Sequence, residues 1–99
     1  MLTINKTTEN GKALLALEGR LDTVTAPDFD SAVIEVLPGI TELRIDCKKL
    51  EYISSAGLRV LLTAQKKMNT QGKMTVANVN ETVMEIFEVT GFSDILTIE

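Results

Sequence analysis

Leu50-Glu51-Tyr52-Ile53-Ser54-Ser55-Ala56-Gly57-Leu58-Arg59-Val60-Leu61-Leu62 runs from an apolar approach into a helical pattern, with two serines at the junction. Leu50, Tyr52 and Ile53 make the approach apolar, and Leu58, Leu61 and Leu62 give the helix its stripe. Serine is a favoured N-cap, so the helix is expected to begin at Ser54-Ser55. A hydroxyl there lies beside free backbone N–H groups and the positive end of the helix dipole. Two readings of the serines stand side by side. They cap the helix and nothing more, or one of them takes a phosphate. A helix N-terminus stabilises such a group, which changes the charge of the exposed surface.

Working outward, residues 41–47 alternate as a strand, with Leu43, Ile45 and Cys47 on one side, and Lys48 to Gly57 then forms the serine-bearing loop. The helix after it is expected over 55–71, closed by Gly72 as a left-handed cap, with Lys66 and Lys67 near its negative end. Residues 26–37 form the clearest helix: Phe29, Ala32, Val33, Val36 and Leu37 follow an i, i+3, i+4, i+7, i+8 stripe. Thr25 is expected to cap it, Asp28 to act as a short capping-box partner, Pro27 to fit the first turn and Pro38-Gly39 to stop it.

Before that helix, residues 2–8 and 12–18 read as two strands joined at Asn10-Gly11, a pair that tolerates the positive φ of a tight hairpin. Leu15 and Leu17, with Ala13 beside them, should face the core, and Gly19-Arg20-Leu21-Asp22 should lead out of the sheet. Towards the C-terminus, residues 73–78 read as a strand. Asn80 should cap a third helix striped by Val83, Ile86 and Phe87 and ended by Thr90-Gly91, and Ile95-Leu96-Thr97-Ile98 reads as a short final strand. The order ββαβαβα plus a strand predicts an α/β fold. Its mixed sheet has an N-terminal antiparallel hairpin, mostly parallel pairing thereafter, and helices packed against it. Residues 1–99 read as one domain.

Composition narrows the function. The 10 basic and 14 acidic residues give a net charge of −4, with no basic stripe, and one tyrosine and three phenylalanines offer no stacking platform, which argues against nucleic acid. There is no histidine, so His-based acid–base chemistry and the usual His-containing metal sites are excluded. Neither a Walker loop, a dinucleotide fingerprint nor a nucleophile elbow occurs, so no enzyme activity and no cofactor are expected. Asp22 and Asp46 lack further ligands for a cation and read as polar loop and strand residues. The lone Cys47 reads as a buried thiol of a reducing compartment. Met1-Leu2-Thr3-Ile4-Asn5-Lys6 lacks the form of a signal peptide and no apolar run reaches membrane-spanning length, so a cytoplasmic location without membrane insertion is expected.

Functional loops of α/β sheets follow the C-terminal ends of strands. Here these are Gly19 to Thr25 and Lys48 to Gly57, both leading into helix N-termini, so they are expected to share one edge and one partner. The candidate surface is Asp22, Thr23, Ser54, Ser55, Ala56, Gly57 and Arg59. Arg59 reads as a solvated charge, a partner contact or a phosphate neighbour. Gly57 reads as serving partner approach or close helix packing, with an alanine there expected to fold at least as well.

Three segments together resemble the STAS domain family, and within it the bacterial anti-sigma factor antagonists. Leu17-Glu18-Gly19-Arg20-Leu21-Asp22-Thr23-Val24-Thr25-Ala26 is similar to its G-x-[LI]-D segment, and Tyr52-Ile53-Ser54-Ser55-Ala56-Gly57-Leu58 to its D-S-[ST]-G-[LIV] phosphorylation segment. Phe87-Glu88-Val89-Thr90-Gly91-Phe92-Ser93-Asp94-Ile95-Leu96 resembles its F-x-x-[ST]-G-[LF] close. The resemblance implies partner switching. An unphosphorylated antagonist binds an anti-sigma factor that is also a serine kinase, phosphorylation releases it, and a phosphoserine phosphatase resets it. It also implies Ser55 as the phosphorylated residue, with Ser54 as a competing acceptor, and Asp22 as the family's aspartate near that loop. Two departures stand out: Ser54 replaces the motif's Asp, and Ala56 replaces its second hydroxyl residue. The resemblance leaves an alternative, a non-switching STAS subunit of a larger signalling or membrane lipid-transport assembly.

Overall fold

A computed structural model describes residues 1–99. Strands β1 (Leu2–Glu9) and β2 (Lys12–Leu21) form the N-terminal hairpin. Helix α1 (Ala26–Val36), strand β3 (Glu42–Ile53), helix α2 (Ser55–Met68), strand β4 (Lys73–Ala77) and helix α3 (Glu81–Thr90) follow, then a 3₁₀ turn over Phe92–Asp94. The sheet order is β1-β2-β3-β4, antiparallel between β1 and β2 and parallel elsewhere. The hairpin turns on Asn10 at φ 51° and Gly11 at φ 78°, the pair of positive φ values that a two-residue turn between twisted strands requires.

Register shows which face holds the core. Ala13 pairs with Leu43 and Leu43 with Met74, and Leu15 pairs with Ile45 and Ile45 with Val76, and all six are buried. One residue along, Lys12, Glu42 and Lys73 sit in register on the opposite, open face, where Glu42 forms ion pairs with both lysines. The helices cover only the first face. Phe29, Ala32, Val33 and Val36 of α1, Leu58, Leu61 and Met68 of α2, and Val83 and Phe87 of α3 complete the core. Each fully buried side chain of this size contributes about 1.5–3 kcal/mol through removal of apolar area from water.

Five local expectations are corrected. The sheet does not release the chain at Gly19 or at Cys47: β2 runs to Leu21 and β3 to Ile53. The β2–β3 register shifts between Ala16 and Glu18 and again between Gly19 and Arg20, so β3 carries extra residues and buries Cys47, Leu50 and Ile53 at a spacing of three. Strict alternation ends there, although pairing continues. Helix α2 ends at Met68, with Asn69 as its C-cap. Gly72 has no positive φ. An added Cβ would strike the backbone carbonyl of Thr41, so close approach requires the glycine.

Thr25 makes no side-chain capping bond to α1. Ile95–Ile98 forms no strand, only one parallel bridge from Ile98 to Val76 beside the 3₁₀ turn. Gly57 is buried, and a Cβ there would lie 2.6 Å from Leu21 Cγ and 2.9 Å from Ile53 Cγ1. Close packing of α2 on the sheet explains this glycine, and the expectation that alanine folds equally well does not survive that contact.

Candidate functional site

The ends of β2 and β3 are adjacent, since Leu21 pairs with Ile53, and each strand runs directly into a helix. The Ser54 N–H donates to the Leu21 carbonyl at 2.8 Å, fastening the start of α2 to the end of β2. The two loops singled out from sequence therefore share one edge.

On the β2–α1 side the loop is held by its own side chains. Asp22 Oδ1 accepts from the Thr25 N–H at 3.0 Å and the Val24 N–H at 3.1 Å. The Asp22 N–H donates to Thr25 Oγ1 at 2.9 Å. The Thr25 hydroxyl has one proton to give, with the Arg20 carbonyl at 2.9 Å and Asp22 Oδ1 at 3.2 Å as acceptors. The Thr25 backbone N–H, then its hydroxyl and the Val24 N–H, hold the Asp22 carboxyl below the usual carboxylate range. Thr25, the expected cap, is thus capped by Asp22. This loop lifts Val24 into solvent at 83% exposure, a feature that nothing in the sequence pattern singled out.

On the β3–α2 side the side chains do the opposite. Ser54 occupies the N-cap with extended backbone (φ −98°, ψ 175°), and its carbonyl accepts from Leu58 N–H at 3.0 Å. Its hydroxyl caps nothing: Oγ is buried and without a hydrogen-bond partner. Ser55 is the first residue of α2 and is exposed. Beside it a groove between α1 and α2 is lined by Thr23, Pro27, Asp30, Ala56, Arg59 and Val60. The structure thus gathers Asp22, Thr23, Ser54, Ser55, Ala56 and Arg59 at one edge. Gly57 faces inward and is not part of that surface.

The remaining candidates lie elsewhere. Asp46, where β3 begins its irregular stretch, accepts from Asn78 Nδ2 at 3.0 Å and from the Lys48 N–H at 2.9 Å. Those two bonds, the amide of Asn78 first, hold its carboxyl low. Burial, with Asp46 adjacent, pushes the Cys47 thiol up to about 12, so it is protonated and inert at neutral pH. No three or more His, Cys, Asp or Glu side chains are grouped to hold a metal ion. No helix is long and apolar enough to cross a membrane.

Comparison with known proteins places this geometry. The STAS domain profile matches residues 3–99. The anti-sigma-B factor antagonist of Listeria monocytogenes is 36% identical over 84 residues, covering 82% of this chain and 73% of that protein. The anti-sigma-B factor antagonist of Bacillus subtilis is 29% identical over 83 residues, covering 83% and 76%. Among solved structures, an anti-sigma factor antagonist from Mycobacterium paratuberculosis superposes with a TM-score of 0.90 at 22% identity, over 99% of this chain and 85% of that one, a likeness of fold. The match to the family over nearly its whole length shows that the chain belongs to the STAS domain family.

Proposed function

We propose that this chain is an anti-sigma factor antagonist working by partner switching, with Ser55 as its phosphate acceptor and the edge formed by Asp22, Thr23, Ser54, Ser55, Ala56 and Arg59 as its partner surface. The observation that carries the reading is the contrast between adjacent hydroxyls. Ser55 is exposed at the first residue of α2, whereas Ser54 Oγ is buried. A kinase delivers phosphate only to a hydroxyl it can reach, which favours Ser55 over Ser54 as the acceptor. The relatives named as anti-sigma-B factor antagonists support the same function.

The chemistry follows from position. Phosphorylation brings about −1.5 to −2 charges to the positive end of the α2 dipole, where the fold tolerates them. The surface changes more, because a small hydroxyl becomes a hydrated dianion that is costly to bury against a partner. The Asp22 carboxylate on the neighbouring loop adds like charge. A loss of about 3 kcal/mol weakens binding more than a hundredfold. The partner implied is a serine kinase that is itself the anti-sigma factor, with a phosphoserine phosphatase resetting the switch. The alternative, serines that serve only as caps in a non-switching subunit, lacks the capping bond it needs at Ser54.

The test is calorimetry with an anti-sigma factor serine kinase as the partner. S55A should bind like the parent and stay bound with ATP present, and S55D should bind at least tenfold more weakly. Equal affinity of S55D and the parent would overturn the proposal.

A further inference from the structure

We infer that Arg59 is the intramolecular clamp for a phosphate on Ser55, and that this clamping withdraws its cation from the partner surface. The inference rests on Ser55 being the acceptor, as proposed above, and adds how the switch is executed.

Ser55 and Arg59 lie on α2 four residues apart, so they are neighbours on one face, one turn apart. Helix side chains lean towards the N-terminus, which puts the turn that begins at Ser55 within reach of the Arg59 guanidinium. The other two arginines are occupied. Arg20 stacks over the Tyr52 ring at 4.5 Å, and Arg44 pairs with Glu99 at 2.7 Å. Arg59 is exposed and takes part in none of the ion pairs of the chain.

The charged groups facing it come from the elements around the groove. Asp30 of α1 lines the same groove, and Asp22 stands on the neighbouring loop with Oδ1 committed to backbone N–H groups. A phosphate on Ser55 outcompetes both. It carries up to twice the charge, and its oxygens match the planar donor fork of a guanidinium. Before phosphorylation Arg59 rims the groove between α1 and α2 and is available to a partner. Afterwards it is held over the N-terminus of α2. Phosphorylation therefore removes an attractive group as well as adding a repulsive one.

The test uses the full chain with phosphoserine incorporated at position 55 during translation, titrated by ³¹P NMR. A paired guanidinium lowers the second pKa of the phosphate, so R59A should raise it by about half a unit. R59K should restore part of the shift, and R59Q, which keeps length without charge, should behave as R59A. Because Arg59 is exposed, the unphosphorylated variants should melt with the parent. Identical titrations for parent, R59A and R59Q would overturn the clamp. A kinase that labels a residue other than Ser55 would overturn the underlying reading. Labelling at Ser55 with a titration indifferent to Arg59 would overturn the clamp alone.

Discussion

The β2–α1 and β3–α2 junctions stand side by side on one edge of the sheet and are finished in opposite ways. At the first, Asp22 and Thr25 bind the backbone and each other: Asp22 Oδ1 takes the Val24 and Thr25 N–H groups just before α1, and the Ala26 N–H goes to the Asp22 carbonyl. At the second, the N-cap serine hydroxyl is buried with no partner, and the next serine is exposed. Helix α3 resembles the first case. Asn80 Oδ1 accepts from the Val83 N–H at 2.9 Å while its Nδ2 donates to the Leu50 carbonyl at 2.7 Å. Side chains thus close the approach to α1 and the first turn of α3, and the start of α2 has no such bond. A closed start is scaffold. An open start leaves its first-turn N–H donors without a side-chain acceptor and the next hydroxyl exposed.

The contrast can be broken by substitution, and the largest effect is expected beneath the open junction. G57A puts a Cβ 2.6 Å from Leu21 Cγ, so it should destabilise by about 1–3 kcal/mol in urea unfolding through overpacking. Unchanged stability would mean that α2 can lift from the sheet freely. At the closed junction, D22A removes the acceptor for two backbone N–H groups and should cost about 1 kcal/mol, with D22N costing less because an amide oxygen still accepts. A neutral D22A would show that the loop does not depend on that carboxylate.

Acid separates the junctions further. Asp22 and Asp46 have carboxyls held below their ordinary value of 3.8, and Glu42, bonded to Lys73 and Lys12, is held below 4.5. A depressed folded pKa means the stabilisation is present above the unfolded value and is lost as pH falls through the folded one. The urea midpoint should therefore drop between about pH 5 and 2, and D22N should flatten part of that drop. An identical acid limb in D22N would remove Asp22 from the account.

The smallest effect is expected at Ser54. Because its hydroxyl bonds to nothing, S54A should leave stability within about 0.5 kcal/mol of the parent, where an N-cap serine in use would lose about 1. A loss of that larger size would show that the second junction is capped after all.

What could be read from sequence was local. The hairpin, the α1 stripe, the Asn80 cap and the end of α3 at Thr90-Gly91 depend on neighbours within a turn, and each is where the pattern put it. The alternative role of Gly72 could not be read, because the atom that forbids a side chain belongs to Thr41, on a distant stretch of chain. The inward role of Gly57 likewise depends on Leu21 and Ile53 meeting across two paired strands. The extra residues in β3 disguised its last turn of pairing as loop, because a bulge changes the period of burial without ending the strand. The serine pair was visible at once, but which hydroxyl is open was not. That depends on the Ser54 N–H being drawn to Leu21, which sets the inner serine against the sheet.

The central claim is that Ser55 is the switch, and phosphate mapping tests it most directly. The parent protein is incubated with an anti-sigma factor serine kinase and ATP, the phosphate is located by tandem mass spectrometry, and the complex is followed by size-exclusion chromatography. The account predicts phosphate on Ser55 alone, appearing in step with loss of the complex, and the same product from S54A. Phosphate on Ser54, or a complex that persists when Ser55 is fully phosphorylated, would contradict it.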